Sequence, residues 1–267
     1  MSNRPTILTL ADYYLPGYKA GGPIQTIANI VSQLGDQFRF KIITSDRDLG
    51  DSTSYPGVEL NRWITLGKAE VFYVRSADPI RVLRIIQSTP HDVLYLNSCF
   101  ARGFSIIPMM AASLRLLPDR PIILAPRGEF SLGAIQIKAG RKTAYLRIAR
   151  WFSAYQKAIW HASSPFEAAD ILRAFCGVDR MGSRATALQR NRAQIVIAPD
   201  IACLLPIATD GVQVGKQCRR KEPGVLRTVF LSRVSRKKNL AEAIRLLDAL
   251  QGHVEFDIYG PIEDISY

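Results

Sequence analysis

Short apolar runs alternate with amphipathic stretches along most of the chain. Thr6–Leu10, Phe38–Thr44, Val71–Val74, Val93–Leu96, Ile122–Ala125 and Ile195–Ala198 are brief, β-prone and bounded by turn residues. Runs of this kind suit strands buried on both faces of a parallel sheet. Between them lie stretches with helical spacing: Ile24–Leu34, Pro79–Gln87, Phe104–Leu116, Lys138–Lys157 and Phe166–Phe175. The segment from Asp46 to Gly67 reads as polar and irregular. Strands alternating with helices predict a Rossmann-like, doubly wound α/β domain over residues 1–200.

The rhythm then breaks. Prolines and glycines gather around the charged cluster Lys216–Glu222, and 201–224 reads as a linker. From 225 to 267 a strand (Leu226–Leu231), a helix (Asn239–Leu250) and a strand (Val254–Tyr259) return. A two-stranded βαβ piece cannot cover both faces of its sheet. It is expected to open a second α/β domain that is incomplete in this chain.

Charge narrows the partners. Among 267 residues, 35 Lys and Arg face 23 Asp and Glu, a net charge of +12. Such an excess favours phosphorylated substrates or an anionic membrane surface. Nucleic acid is not expected, because aromatic residues do not alternate with the basic ones as a stacking platform needs. Mean hydropathy is +0.03 and no apolar run approaches the length of a membrane span. The start, Met-Ser-Asn-Arg-Pro, lacks a hydrophobic leader, so a cytoplasmic protein, peripheral on the inner face of the cell membrane, is expected. Cys99, Cys176, Cys203 and Cys218 form no CxxC pair and read as reduced thiols. His91, His161 and His253 have no ligand spacing, so no metal is expected.

Four segments can carry chemistry. Pro16-Gly17-Tyr18-Lys19-Ala20-Gly21-Gly22-Pro23 follows the first strand and opens a helix. Its glycines let backbone N–H groups approach an anion, or else they form a tight turn before Pro23. Pro126-Arg127-Gly128-Glu129 follows a buried strand, where an open sheet places its ligand crevice; a surface Arg–Glu pair is the alternative. His161 precedes Ser164-Pro165-Phe166-Glu167, whose spacing is that of a capping box. Ser232-Arg233-Val234-Ser235-Arg236-Lys237-Lys238-Asn239 links a strand to a helix, and Arg233 and Lys238 can reach one diphosphate there.

Taken together these segments resemble the retaining GT-B glycosyltransferases of family 4. The likeness rests on Gly21-Gly22, on Pro126-Arg127-Gly128-Glu129 with Lys138 downstream, and on Ser164-Pro165-x-Glu167. It is strongest in Ser232-Arg233-x-Ser235-x-Lys237-Lys238-Asn239-Leu240 followed by Ile258-Tyr259-Gly260-Pro261. The resemblance implies transfer of a sugar from a nucleotide diphosphate donor to a glycan or lipid-linked acceptor, with no cofactor. It implies Arg233 and Lys238 on the donor diphosphate, Gly21 and Gly22 lining the cleft, and His161 at the substrate. Arg127 stands where many members carry a histidine, and with Glu129 it is the candidate for catalysis. The family's Glu-x7-Glu donor element is not among the 267 residues. A catalytically inactive remnant or membrane-surface interaction module is therefore the alternative.

One further segment bears on the membrane. Between Glu129 and Glu167 there is no acidic residue, while Lys138, Arg141, Lys142, Arg147, Arg150 and Lys157 accompany Tyr145, Trp151, Phe152, Tyr155 and Trp160. A basic helix carrying aromatics is expected to lie on an anionic surface; the alternative is that Trp151 and Phe152 pack into the sheet and the charges form a solvated face.

Overall fold

The computed structural model describes residues 4–75, 78–131, 133–134, 140, 145, 155, 158–176, 194–203 and 222–262. The chain divides into two compact units, 1–204 and 205–267.

In the first unit the elements run β1 (Thr6–Leu10), α1 (Gly22–Leu34), β2 (Arg39–Ser45), β3 (Trp63–Leu66), β4 (Ala69–Val74), α2 (Pro79–Ser88) and β5 (Val93–Asn97). Then come a wide turn (Arg102–Ile106), α3 (Ile107–Ser113), β6 (Ile122–Ala125), β7 (Ala158–Ala162), α4 (Pro165–Cys176) and β8 (Gln194–Ile197). The strands form one eight-stranded sheet in the order β3-β4-β2-β1-β5-β6-β7-β8. All neighbours are parallel except β3, which pairs antiparallel with β4. This is the doubly wound α/β class that the sequence predicts.

Alternation along each strand splits the core in two. Phe40, Ile42, Val71 and Tyr73 pack with Ile27 and Val31 of α1. Leu8, Leu10, Phe72, Val74, Leu94 and Leu96 point the other way and pack with Val82 and Ile86 of α2 and Met109 of α3. Trp160 of β7, only 1% exposed, anchors that second cluster through ring contacts with Phe130 and Tyr155. Tyr155 and Trp160 of the basic window are therefore core residues and not lipid-facing ones as expected. Both faces are therefore dry, which is why these strands read as continuous apolar runs.

Two expectations need correction. The stretch 46–67 is not irregular throughout, because Trp63–Leu66 forms β3. Gly67 (φ 59°) supplies the positive φ of a tight hairpin between Leu66 and Ala69. Trp63 stacks edge-on against Phe72 and lies under the Lys41 ammonium. Four residues give too short a period to read. The helix expected from Phe104 to Leu116 is shorter and starts differently. Ala101 C=O accepts from both Ser105 and Ile106 (2.8 and 2.9 Å), widening the turn before the helix. Pro108, which has no N–H to donate, then falls in the first turn of α3. Most of 138–157, and of the expected linker 201–224, lies outside the described residues. Among the described residues no helix is long and apolar enough to cross a membrane.

The second unit is a parallel pair, β9 (Val225–Leu231) and β10 (His253–Tyr259), joined through a 3-10 turn (Arg236–Lys238) and α5 (Leu240–Asp248).

The end of α3 makes a specific prediction. Leu116 N–H bonds Ala111 C=O and Arg115 N–H bonds Ala112 C=O (2.9 and 3.0 Å), the paired closure that places one residue in the left-handed region. Glycine is the usual occupant; here it is Arg115, at φ 59°. Arg115→Gly should therefore raise unfolding stability by about 0.5–1 kcal/mol, the left-handed penalty less glycine's extra chain entropy. Urea titration of both proteins checks it, and a loss of stability would show that the arginine side chain contributes to the fold.

Candidate functional site

Strand order reverses between β1 and β5, since β2 and β4 lie on one side of β1 and β5 to β8 on the other. In an open parallel sheet the ligand crevice lies beyond the carboxyl ends of the strands at this reversal. The residues brought there are Asp12 after β1, Asn97 at the end of β5, Arg127 and Glu129 after β6, His161 in β7 and Asp200 after β8.

Arg127 is the centre of that edge. Its backbone is left-handed (φ 55°), and Gly128 after it is too (φ 72°), so the chain turns sharply out of β6. The side chain is 7% exposed. Its Nε and Nη2 donate to Asn97 Oδ1 at 3.2 and 3.1 Å, and Nη2 also donates to the Tyr95 hydroxyl at 2.6 Å. Nη1 pairs with Asp200 at 2.5 Å. The Tyr95 hydroxyl in turn meets His161 Nδ1, and His161 Nε2 meets the Ala198 carbonyl, both at 2.8 Å. A carbonyl only accepts, so Nε2 carries the imidazole proton and Nδ1 accepts from Tyr95. Burial pushes the Tyr95 phenol up to about 12, against the pull of Arg127, and it stays a neutral donor. One atom is left over: the buried Asn97 Nδ2 has no hydrogen-bond partner among the described residues.

The two carboxylates near the reversal differ in kind. Glu129 accepts from the Ser98 hydroxyl at 2.6 Å and from the N–H groups of Cys99 and Phe100 at 2.5 and 3.3 Å. Both its oxygens are occupied by the loop after β5. The Asp12 carboxyl has no hydrogen-bond partner among the described residues. Burial, and then the negative charge of Glu129, raise it to about 6. It is the one carboxyl of this pair with lone pairs to offer a ligand.

The capping box at α4 is present but bent to another use. Ser164 Oγ accepts from Glu167 N–H at 3.2 Å, as a cap should. Glu167 reaches Ser163 N–H and hydroxyl, both at 2.7 Å, and Gly128 N–H at 2.6 Å. Burial opposes its ionisation, but those donors and the nearby Arg127 hold the carboxyl below its ordinary range. Glu167 thus fastens the β6 loop to the helix start.

The glycine loop after β1 is fastened from β2's side. Asp48 accepts from Tyr18 and Lys19 N–H at 2.7 and 3.0 Å, and Lys19 pairs with Asp51 at 2.5 Å. At Gly17 a side chain would overlap the Tyr55 hydroxyl, so packing requires glycine. At Gly21 and Gly22 an added Cβ would meet nothing within 4 Å. Gly21 is there for its backbone (φ 71°, ψ −125°), and it precedes α1 without a capping side chain.

In the second unit the basic turn sits where β9 ends. Ser232 N–H bonds Tyr259 C=O and Val234 N–H bonds Pro261 C=O (3.0 and 2.9 Å), which carries the pairing past both strands. Gly260 (φ 147°) passes so close to Ser232 that any Cβ would overlap its carbonyl. Ser235 is buried, Arg233 half-buried, and Arg236 and Lys238 exposed. Asn239, left-handed at φ 52°, turns the chain into α5.

No protein-family model matches the sequence, and no curated protein matches it either. Solved structures do. A structure described as trehalose-6-phosphate from E. coli bound with UDP-2-fluoro glucose aligns with a TM-score of 0.50 at 11% identity, over 95% of this chain and 64% of that one. An α,α-trehalose 6-phosphate synthase from Burkholderia multivorans gives 0.49 at 14%, over 98% and 66%. A UDP-forming α,α-trehalose-phosphate synthase from Burkholderia vietnamiensis gives 0.48 at 14%, over 96% and 64%. The likeness is one of fold. It places the chain in the Rossmann-like architecture of GT-B proteins, and the chain spans less than two thirds of the first neighbour's length.

Within that fold, sequence reasoning finds Arg127, Glu129 and His161 and misses the groups that engage them. Tyr95 and Asn97 sit inside an apolar run, and Asp200 lies beyond the last strand. Only a topology brings them to Arg127. Asp12 directly follows Leu10-Ala11, and a carboxylate at the mouth of the first strand was a signal available to be read.

Asp12 gives a prediction with a definite sign. Its folded pKa of about 6 lies above the ordinary aspartate value of 3.8, so the folded state holds the proton more tightly than the unfolded chain. Stability should therefore fall as pH rises from about 4 to 6, and stay lower above it. Asp12→Asn should stabilise the protein at pH 8, by at most roughly 3 kcal/mol, and little at pH 4. Urea titrations at the two pH values measure this; an equal effect at both would mean that Asp12 ionises normally.

Proposed function

We propose that this chain acts as a retaining GT-B glycosyltransferase of family 4, moving a sugar from a nucleotide diphosphate donor to a glycan or lipid-linked acceptor in envelope or exopolysaccharide synthesis. The observation that carries the reading is the basic turn Ser232–Asn239, fixed at the carboxyl ends of β9 and β10 by the close passage of Gly260. Half-buried Arg233 offers a guanidinium fork for a diphosphate and exposed Lys238 a point charge. The fold neighbour described with UDP-2-fluoro glucose supports a nucleotide-sugar as donor class.

In the first unit the acceptor side is the carboxyl edge at the strand reversal. Gly21 and Gly22 admit substrate without obstruction. Arg127 and Glu129 set the charge of the reacting region, the former held by Tyr95, Asn97 and Asp200. His161 supports the substrate side through Tyr95. Asp12, unpartnered and raised towards neutrality, is the group placed to accept a hydrogen bond from an acceptor hydroxyl. The donor is a substrate, and neither metal nor organic cofactor is called for. The enzyme works in the cytoplasm against an anionic membrane surface, where lipid-linked acceptors are found.

Isothermal calorimetry with nucleotide diphosphate sugars tests the donor site. Arg233→Ala should weaken binding by about 1.5–3 kcal/mol, the worth of a charge-assisted hydrogen bond, and Arg236→Ala by much less. Equal losses would remove the assignment. Failure of the parent chain to bind any nucleotide would favour the alternative, a non-catalytic interaction module.

A further inference from the structure

The stretch from Pro79 to Arg120 holds Arg81, Arg84, Arg102, Arg115 and Arg120, and its acidic residues are Asp92 and Asp119. None of these arginines makes an ion pair among the described residues, whereas Lys19, Lys41 and Lys68 elsewhere in the unit each hold a carboxylate. Asp92 is engaged at the amino end of the sheet, accepting from Thr6 N–H at 2.7 Å. The surface therefore carries positive charge that the fold leaves unanswered.

The same surface carries apolar side chains out of the core. Ile80 is 63% exposed, Met110 48%, Leu114 67% and Leu116 57%. They belong to adjoining elements, since Gln87 of α2 donates to Leu116 C=O at 2.8 Å. Where a helix ends as α3 does, the residue after the left-handed position usually folds back onto the helix. Leu116 projects outward instead, and Leu114 and Leu116 flank Arg115 at a protruding tip. Along the exposed part of α2, Arg81, Arg84 and Ser88 rim, together with the N-cap Asp78, a cavity of about 480 Å³ floored by Phe72 and Ile85; the Asp78 carboxylate is engaged by the N–H groups of Ile80 and Arg81.

We propose that this α2–α3 surface docks on an anionic lipid bilayer, with Leu114 and Leu116 entering the headgroup boundary and Arg81 and Arg84 taking lipid phosphates. Leucines set beside arginines on a convex tip fit an interface that is apolar below and anionic above. A protein partner's groove would have to supply both. This proposal rests on the membrane part of the function proposed above and moves the contact from 138–157 to described residues on α2 and α3.

The test is sedimentation of the full chain with vesicles of phosphatidylcholine alone, or with phosphatidylglycerol added. The parent should bind only the anionic vesicles, with affinity falling steeply as salt rises. Arg81→Gln/Arg84→Gln/Arg115→Gln should lose at least about tenfold in binding, and Leu114→Ser/Leu116→Ser several-fold, both with unchanged thermal melts. Arg39→Gln/Arg62→Gln/Arg173→Gln removes the same charge from other exposed positions and should bind nearly as the parent does. Equal losses in the two triple variants overturn the docking surface while leaving membrane attachment standing. No binding of the parent to anionic vesicles overturns both, and nucleotide-sugar binding is unaffected by either result.

Discussion

A buried guanidinium has to find acceptors, and at Arg127 that requirement ties four strands together. The side chain leaves the end of β6 and is met by Tyr95 and Asn97 from β5 and Asp200 from beyond β8, while Tyr95 carries the contact on to His161 of β7. Glu167 adds α4 by holding Gly128 N–H. Removing one partner from such a buried set costs far more than any single bond in it contributes, because the rest lose their acceptors. The carboxyl edge beyond the strand reversal is therefore rigid before any ligand arrives.

The same logic divides the carboxylates. Glu129 spends both oxygens on the β5 loop and Glu167 spends both on the β6 loop and the start of α4, so each is a fixed charge holding backbone in place. Asp12 stands beside Glu129 with no donor among the described residues, and burial, reinforced by the neighbouring charge, raises its proton affinity. Two carboxyls pushed apart in this way differ in kind: one holds backbone in place, the other keeps its proton to higher pH.

What could be read in the sequence follows from range. The doubly wound sheet was legible because strands dry on both faces must be apolar throughout, and Val93–Leu96 or Ile122–Ala125 can be little else. The start of α4 was legible because a cap is a contact over three residues. Trp63–Leu66 was not, since four residues show no period, and its strand exists because Phe72 and Lys41, distant in sequence, receive Trp63. Arg127 stood out as a charge after a buried run, but its partners are 30 to 73 residues away. Tyr95 and Asn97 look like strand residues until the fold turns their polar ends to one point. The turn after β9 was legible as a cluster of basic residues, while the reason it holds its shape is Gly260, across the sheet.

Two arginines sit in left-handed backbone, at 115 and 127, each where glycine would be less strained. At Arg127 the side chain makes the contacts that offset the strain. At Arg115 the side chain is exposed and has no ion pair among the described residues, and the leucines on either side face water. At the end of α3 the arginine between Leu114 and Leu116 makes no contact among the described residues that would offset its strain, so its charge is left to solvent beside two exposed apolar side chains. The same backbone conformation is thus compensated at one arginine by contacts within the sheet and uncompensated at the other.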